Sequence, residues 1–299
     1  MATELELRKR IRSVKNISTV TNALSAVSAS KARRAEKSVR ATRDYAGKAF
    51  EILNNLAAQE GGNAHVLLAT REEIKRTGLV LITGDRGLCG GYNTNVVKLA
   101  EKFISASATA VDVITVGKKG RDLMIRRGYN VSATFINMSG KPTIADILPI
   151  ARIVTDDYLA GKYDQVFIAY TDFVNLAKSV ANIKQLLPLK PLNLDGMAVS
   201  EYVSAVDVEE AQGLKYSYEP DPQQLLDTIV PRFTELQIYQ ALLEAIASEE
   251  SARFVAMNNA TENANSLVDA LTLERNKVRQ TNITNEILDI VGGAEALAQ

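Results

Sequence analysis

Between residues 3 and 56 the chain has no proline and a single glycine, Gly47, while apolar or small side chains return every three or four positions. The series Leu7, Ile11, Val14, Ile17, Thr21, Leu24, Ser28, Ala32, Ala35, Val39, Thr42, Ala46, Ala49, Leu53, Leu56 advances by about 3.5 residues per step, the repeat of a supercoiled helix. At ~1.5 Å per residue such a helix runs about 80 Å, too long for the inside of an ordinary globular domain. Its seam is rich in Ala, Ser and Thr, so a partner can approach closely but little apolar area is removed from water per heptad. The helix therefore needs company along its length.

A matching run lies at the far end of the sequence. After Pro220, Asp221 and Pro222 the pattern resumes as Ile229, Phe233, Leu236, Tyr239, Leu243, Ile246, Glu250, Phe254, Met257, Thr261, Ala264, Leu267, Leu271, Val278, Thr281, Ile287 and Val291. The prolines and the pair Gly292–Gly293 suggest its limits, for a helix of about 100 Å, with a kink or a later start at Pro231. Residues 1–50 hold twelve Lys or Arg against four Asp or Glu, although the whole chain balances at 35 of each, and the C-terminal run is net acidic. Opposite charge favours pairing of the two helices. With a whole domain between them, the expected arrangement is antiparallel, a two-stranded stalk with that domain at one end.

The middle of the chain alternates. Residues 79–83, 111–116, 131–136 and 165–170 read as buried strands, with a further strand over 180–187, and 94–106, 118–127 and 143–160 read as helices. Strand followed by helix, repeated, implies a mostly parallel, Rossmann-like sheet covered by helices. The expected fold is α/β, a long antiparallel coiled coil of the terminal helices plus a central α/β domain. Expected limits are 1–58 and 223–299 for the helices, 76–190 for the domain, and 191–222 for a connecting loop region with a short helix near 199–205.

The segment Thr83-Gly84-Asp85-Arg86-Gly87-Leu88-Cys89-Gly90-Gly91-Tyr92-Asn93 stands between a strand and a helix, where phosphate loops sit in nucleotide-binding folds. It lacks the Lys of a P-loop, and glycines at 84, 87, 90 and 91 do not spell the dinucleotide fingerprint, so a structural turn is the better reading. Cys89 is the only cysteine and His65 the only histidine, separated by a loop and a strand, which argues against a thiol nucleophile, a zinc site or an internal disulfide. Adjacent acids such as Glu249 with Glu250 and Glu209 with Glu210 point in different directions on a helix and read as solvated faces. The basic run Lys31, Arg33, Arg34, Lys37, Arg40, Arg43 has one interleaved aromatic, Tyr45, and suits an acidic protein surface, either the C-terminal helix or another subunit, better than nucleic acid. No run approaches the ~18 apolar residues of a membrane span, and the N-terminus lacks a signal-peptide core, so a soluble chain is expected. No catalytic, metal or cofactor residue is expected. Near the C-terminus Ile283, Ile287, Leu288, Ile290 and Val291 spread over nearly half a helical wheel, wider than one partner helix covers, so another protein is expected to surround them.

Four stretches carry a resemblance over nearly the whole chain: IRSVKNISTVTNALSAVSASKARRAEK, GDRGLCGGYNTN, YSYEPDP and NKVRQTNITNEILDIVGGAEAL. They resemble the gamma subunit of F-type ATP synthases, the central rotor stalk. The resemblance implies a non-catalytic shaft, one copy per complex, turning in a hexameric ring of alpha and beta subunits. The epsilon subunit and the membrane c-ring would hold its other end, with no nucleic acid and no direct membrane insertion. Its place would be peripheral, on the cytoplasmic face of a bacterial inner membrane or the equivalent face of an organelle membrane. By the same resemblance Arg253, Gln280, Thr284 and Glu286 would face the catch loops of the ring, and Ile287, Leu288, Ile290 and Val291 would form the bearing tip. Gly84, Asp85, Arg86, Gly87, Cys89, Gly90 and Gly91 are the signature turn, and Tyr216, Tyr218, Glu219, Pro220 and Asp221 would lie on the epsilon and c-ring side. Leu24, Ala32 and Val278 depart from the family's usual Met, Met and Ala. Two other classes compete: a coiled-coil tether or scaffold with an α/β binding head, and an enzyme built on the loop at 84–91.

Overall fold

The computed structural model describes residues 3–59, 65–71, 73–138, 140–189 and 222–297. Its elements are helix α1 (Glu4–Gln59), strand β1 (Arg76–Ile82), α2 (Tyr92–Ala106), β2 (Ala110–Val116), α3 (Lys118–Arg126), β3 (Val131–Phe135), α4 (Ile144–Leu159), β4 (Gln165–Asn175), β5 (Lys178–Leu187) and α5 (Pro222–Leu297). The chain divides into two units. One is built from the residues up to Ser28 with those from Phe254 onward, and the other is Ala29–Arg253. The long helices α1 and α5 contribute to both.

In the first unit α1 and α5 pack antiparallel. Leu7 and Ile11 cluster with Val268 and Leu271, with Val14 and Val278 half-buried beside them. Further along, the Ser18 hydroxyl donates to Asn265 Oδ1 over 2.7 Å, and the Thr21 and Thr261 hydroxyls meet at 2.7 Å. Within the paired stretch two apolar members of the series turn to water. Ile17 and Leu267 are 53% and 48% exposed, and Ser18 and Val268 take their places. A step of four then three, Val14 to Ser18 to Thr21, fits the 3.5 repeat as well as three then four. The partner helix decides between them, and here it offers hydroxyl and amide groups that Ser18 and Thr21 satisfy.

The expected stop at Gly292–Gly293 is also corrected, because α5 continues to Leu297. A glycine ends a helix by adopting the left-handed conformation, and neither of these is among the positive-φ glycines. In right-handed backbone each merely weakens the helix by about 1 kcal/mol. Pro231 likewise sits inside α5 rather than at its start.

In the second unit the strands lie in the order β3-β2-β1-β4-β5, parallel throughout except for the antiparallel β4–β5 hairpin. Alternation along each strand sorts the side chains to two faces. Leu79, Leu81, Val113 and Ala169 meet Val96, Val97 and Ala100 of α2 and Met124 of α3. Val80, Ile82, Ile114, Val116, Ile168 and Tyr170 meet Ile147 and Val154 of α4, Ala46 and Leu53 of α1, and Phe233 and Leu242 of α5. The helices following β1 and β2 thus cover one face and the helix leading into β4 covers the other. That change of side places the topological switch point at the C-terminal end of β1, where open α/β sheets bind ligands.

Every residue of α5 from 240 to 251 is buried, so this part of the helix is covered all round rather than along one seam. Glu249 and Glu250 are included, which overturns their reading as a solvated face. Their charges are held by side chains described below.

The seam assignment makes a testable contrast. Leu271→Ala should lower stability by about 2 kcal/mol, as for a buried leucine, and Leu267→Ala should stay within about 0.5 kcal/mol of the parent. Urea unfolding followed by helical circular dichroism measures both.

Candidate functional site

The loop after β1 is pinned on every side. Thr83 Oγ1 donates to the Val116 carbonyl over 3.0 Å and accepts from the Gly120 amide over 2.9 Å. Asp85 accepts from two backbone amides, Lys118 at 3.0 Å and Asn137 at 2.8 Å, and so ties the ends of β2 and β3 to the loop. The Lys119 amide donates to the Gly84 carbonyl at 3.1 Å. Asn93, near the start of α2, closes the loop on itself: its Oδ1 accepts from Gly84 N at 2.9 Å, and its Nδ2 donates to the Arg86 carbonyl at 3.3 Å and to Cys89 Sγ at 3.2 Å. Leu88 at φ 61° and Gly90 at φ 57° make the reversal. Leu88 is exposed while Cys89 is buried.

What fills the crevice at this switch point is α5. A Cβ on Gly84 would lie 2.7 Å from the Glu249 carboxyl carbon, so the backbone approaches that side chain as closely as a glycine allows. Arg253 pairs with Glu249 and places Nη1 2.8 Å from Glu250 Oε1, and its Nε donates to the Gly87 carbonyl at 3.5 Å. The remaining cavity, lined by Thr83, Asp85, Tyr92, Gly117 and Glu249 among others, is about 10 Å³. A nucleotide-sized ligand needs several hundred Å³, roughly 300 or more. Burial and the nearby Glu249 charge push the Cys89 thiol up, which makes it a poor nucleophile. Burial also raises the Glu249 carboxyl, against the pull of Arg253.

At the other end of α5, every described side chain from 279 to 294 is exposed. Gln280, Thr284 and Glu286 are among them, and Thr284 spends its hydroxyl proton on the Gln280 carbonyl of its own helix at 2.9 Å. Ile283, Ile287, Leu288, Ile290 and Val291 stand between 47% and 71% exposed, an apolar collar with nothing of this chain packed on it among the described residues.

Residues 3–297 match the ATP synthase family. The ATP synthase gamma chain of Dehalococcoides mccartyi strain CBDB1 is 44% identical over 300 residues, covering all of both chains. Those of Roseiflexus castenholzii and Chloroflexus aurantiacus strain ATCC 29366 are 42% identical with all of both covered and 43% identical with 99% of each covered. The chain belongs to the ATP synthase gamma chain family. Among solved structures, a chain of the Euglena gracilis mitochondrial ATP synthase (OSCP/F1/c-ring, rotational state 3) matches with a TM-score of 0.67 at 21% identity, over 97% of this chain and 93% of that one. A chain of the Tetrahymena thermophila mitochondrial ATP synthase central stalk and c-ring matches at 0.59 and 24%, over 81% and 99%. At those identities the likeness is one of fold.

The gamma-family positions fall in different settings. Gly84, Asp85, Gly87 and Cys89 are brought together with Glu249 and Arg253, and Arg86 and Gly91 are exposed on the same loop. Arg253 is 9% exposed and engaged within the chain, unlike Gln280, Thr284 and Glu286. Tyr216, Tyr218, Glu219, Pro220 and Asp221, and the segment 199–205, lie outside the described residues. From the basic run, Lys31 reaches Glu250 and Arg43 reaches Glu244, each at 3.7 Å, so part of it pairs with α5. The signal missed in the sequence is the spacing of Glu249, Glu250 and Arg253, which sets one Arg i+4 and i+3 from two acids.

Gly117 gives the test of how tightly this loop is built. At φ 100° its Cβ would stand 2.1 Å from the Thr83 carbonyl oxygen. Gly117→Ala should cost roughly 3 kcal/mol from strain and clash together, and Gly128→Ala, at φ 82° with open space around it, only about 1 kcal/mol. Equal losses in urea unfolding would mean that the loop yields to the added methyl.

Proposed function

We propose that this gamma-family chain is the central rotor shaft of an F-type ATP synthase. It turns inside a ring of alternating alpha and beta subunits and couples proton flow through the membrane sector to ATP synthesis or hydrolysis in the beta subunits. The observation that carries the reading is the exposed end of α5, where an apolar collar and a set of polar side chains sit on one helix and, among the described residues, meet nothing of this chain outside that helix. Apolar contact is non-directional, so Ile287, Leu288, Ile290 and Val291 suit a bearing in which a shaft turns against a sleeve. Hydrogen bonds are directional, so Gln280, Thr284 and Glu286 suit contacts made in some rotational positions and broken in others. An asymmetric shaft in a threefold ring meets the three beta subunits differently, and differential contact is what shifts each between states of different nucleotide affinity.

In this reading the chain holds no catalytic residue and no cofactor. Glu249 and Arg253 take the space a nucleotide would need at the switch point. No helix among the described residues is long and apolar enough to cross a membrane, and in this reading attachment runs through the epsilon subunit and the c-ring. The complex holds one copy, peripheral to the cytoplasmic face of a bacterial inner membrane or the equivalent face of another energy-converting membrane.

Gln280→Ala combined with Thr284→Ala should lower ATP turnover of the complex assembled with cognate alpha and beta subunits by roughly fivefold or more, each lost bond being worth about 1 kcal/mol. Assembly, followed by size-exclusion chromatography, should be unaffected. Unchanged turnover would remove these two side chains from the torque contact. A wild-type chain that stays apart from cognate alpha and beta subunits would favour a coiled-coil tether.

A further inference from the structure

Arg253 is the last α5 residue of the sheet-bearing unit, and its guanidinium serves three acceptors at once. Two are the carboxylates of Glu249 and Glu250 on its own helix, and the third is the Gly87 carbonyl on the loop after β1. Glu250 Oε1 is also 3.7 Å from Lys31 Nζ on α1, and Glu249 sits against Gly84. One planar fork therefore joins α5 to the loop and, through Glu250, to α1. The three α5 residues are each less than a tenth exposed.

Elsewhere this part of α5 is held by apolar packing, which is non-directional, and by polar contacts that each tie it at one point, such as the Ser248 hydroxyl on the Thr171 carbonyl at 3.0 Å and Glu244 with Arg43 at 3.7 Å. A guanidinium has donors in a fixed plane, so three acceptors around it define an angle as well as a distance. Removing any one partner of a buried ionic group leaves the others uncompensated, so the set works as a unit.

We infer that Arg253 is a positioning residue that clamps α5 to the Gly84–Gly87 turn and sets the rotational angle of α5 on the sheet-bearing unit, so that twist applied to the helix passes into that unit. The mechanical half of this inference rests on the rotor reading, and the clamp itself does not. The resemblance would have Arg253 face the catch loops of the ring; the clamp is a role of the same side chain within the chain. Lysine cannot replace it, because an ammonium is a point charge without the planar fork.

The experiment has two readouts. Amide hydrogen exchange on the full chain compares wild type with Arg253→Lys, Arg253→Gln, Glu249→Gln and the Arg253→Gln/Glu249→Gln double variant. The clamp predicts exchange on the order of tenfold faster at Gly84 and Lys119 in each single variant, with the β1 amides of Leu79 and Leu81 unchanged, and no further gain in the double variant. Unchanged exchange at Gly84 and Lys119, or additive effects in the double variant, would overturn the clamp. The second readout is the angular fluctuation of a probe on the sheet-bearing unit of the complex with the α5 tip held in the alpha-beta ring. Roughly doubled variance in Arg253→Lys is the expected result, and variance equal to wild type overturns the transmission of twist. A wild-type chain that never enters the ring refutes the rotor reading instead, and exchange then still decides the clamp.

Discussion

The sheet-bearing unit depends on burying one stretch of α5 from all directions. Residues 240–251 touch the sheet, α1 and the turn after β1, and each contact uses different chemistry. Leu242, Ala245 and Ile246 join the apolar core under the sheet, the Ser248 hydroxyl donates to the Thr171 carbonyl at 3.0 Å, and Glu249 fills the crevice beside Gly84. Were this stretch amphipathic in the usual way, the crevice at the end of β1 would be open. The fold would then keep the ligand site that its topology allows. Closing that crevice with its own helix turns a nucleotide-binding architecture into a mounting for a shaft.

The fold was legible in the sequence where local pattern decides the outcome. The strands read at 79–83, 111–116, 131–136, 165–170 and 180–187 appear as β1 to β5 with limits moved by a few residues, because β-branched runs between turn residues have few other uses. The long helices follow from a 3.5 repeat, their pairing from opposite charge, and its antiparallel sense from the domain that lies between them in the chain. Local pattern misleads where a partner decides. Ile17 and Leu267 fit the repeat but face water, since the phase of a seam is set by the opposing helix. Glu249 and Glu250 read as solvated because the local spacing that brings Arg253 to both does not say that the set is buried, and Lys31 comes from a distant helix. Gly292 and Gly293 do not stop the helix, because neither takes the positive φ of a glycine C-cap.

The candidate site was legible in a similarly uneven way. Missing P-loop and dinucleotide spacing argued for a structural turn, and the turn is indeed held by backbone and side-chain bonds through Thr83, Asp85 and Asn93. The reason it has no room, α5 lying in the crevice, depends on packing between segments more than 150 residues apart and leaves no local trace. The collar at the tip was readable because an apolar arc too wide for one partner is a property of a single helix. Two features stand out in this member of the gamma chain family: an exposed apolar collar at the tip of α5 and a sheet-bearing unit whose crevice is closed by its own helix.

The central claim is mechanical, so the most direct measurement is mechanical too. Cys89 is buried, so a cysteine placed at the exposed position of Lys98 would be the reactive thiol for attaching a bead, with the cognate alpha-beta ring fixed to a surface. On adding ATP the account predicts rotation in one direction with pauses of threefold spacing. A ring that hydrolyses ATP with this chain bound while the bead only fluctuates about one angle would contradict it.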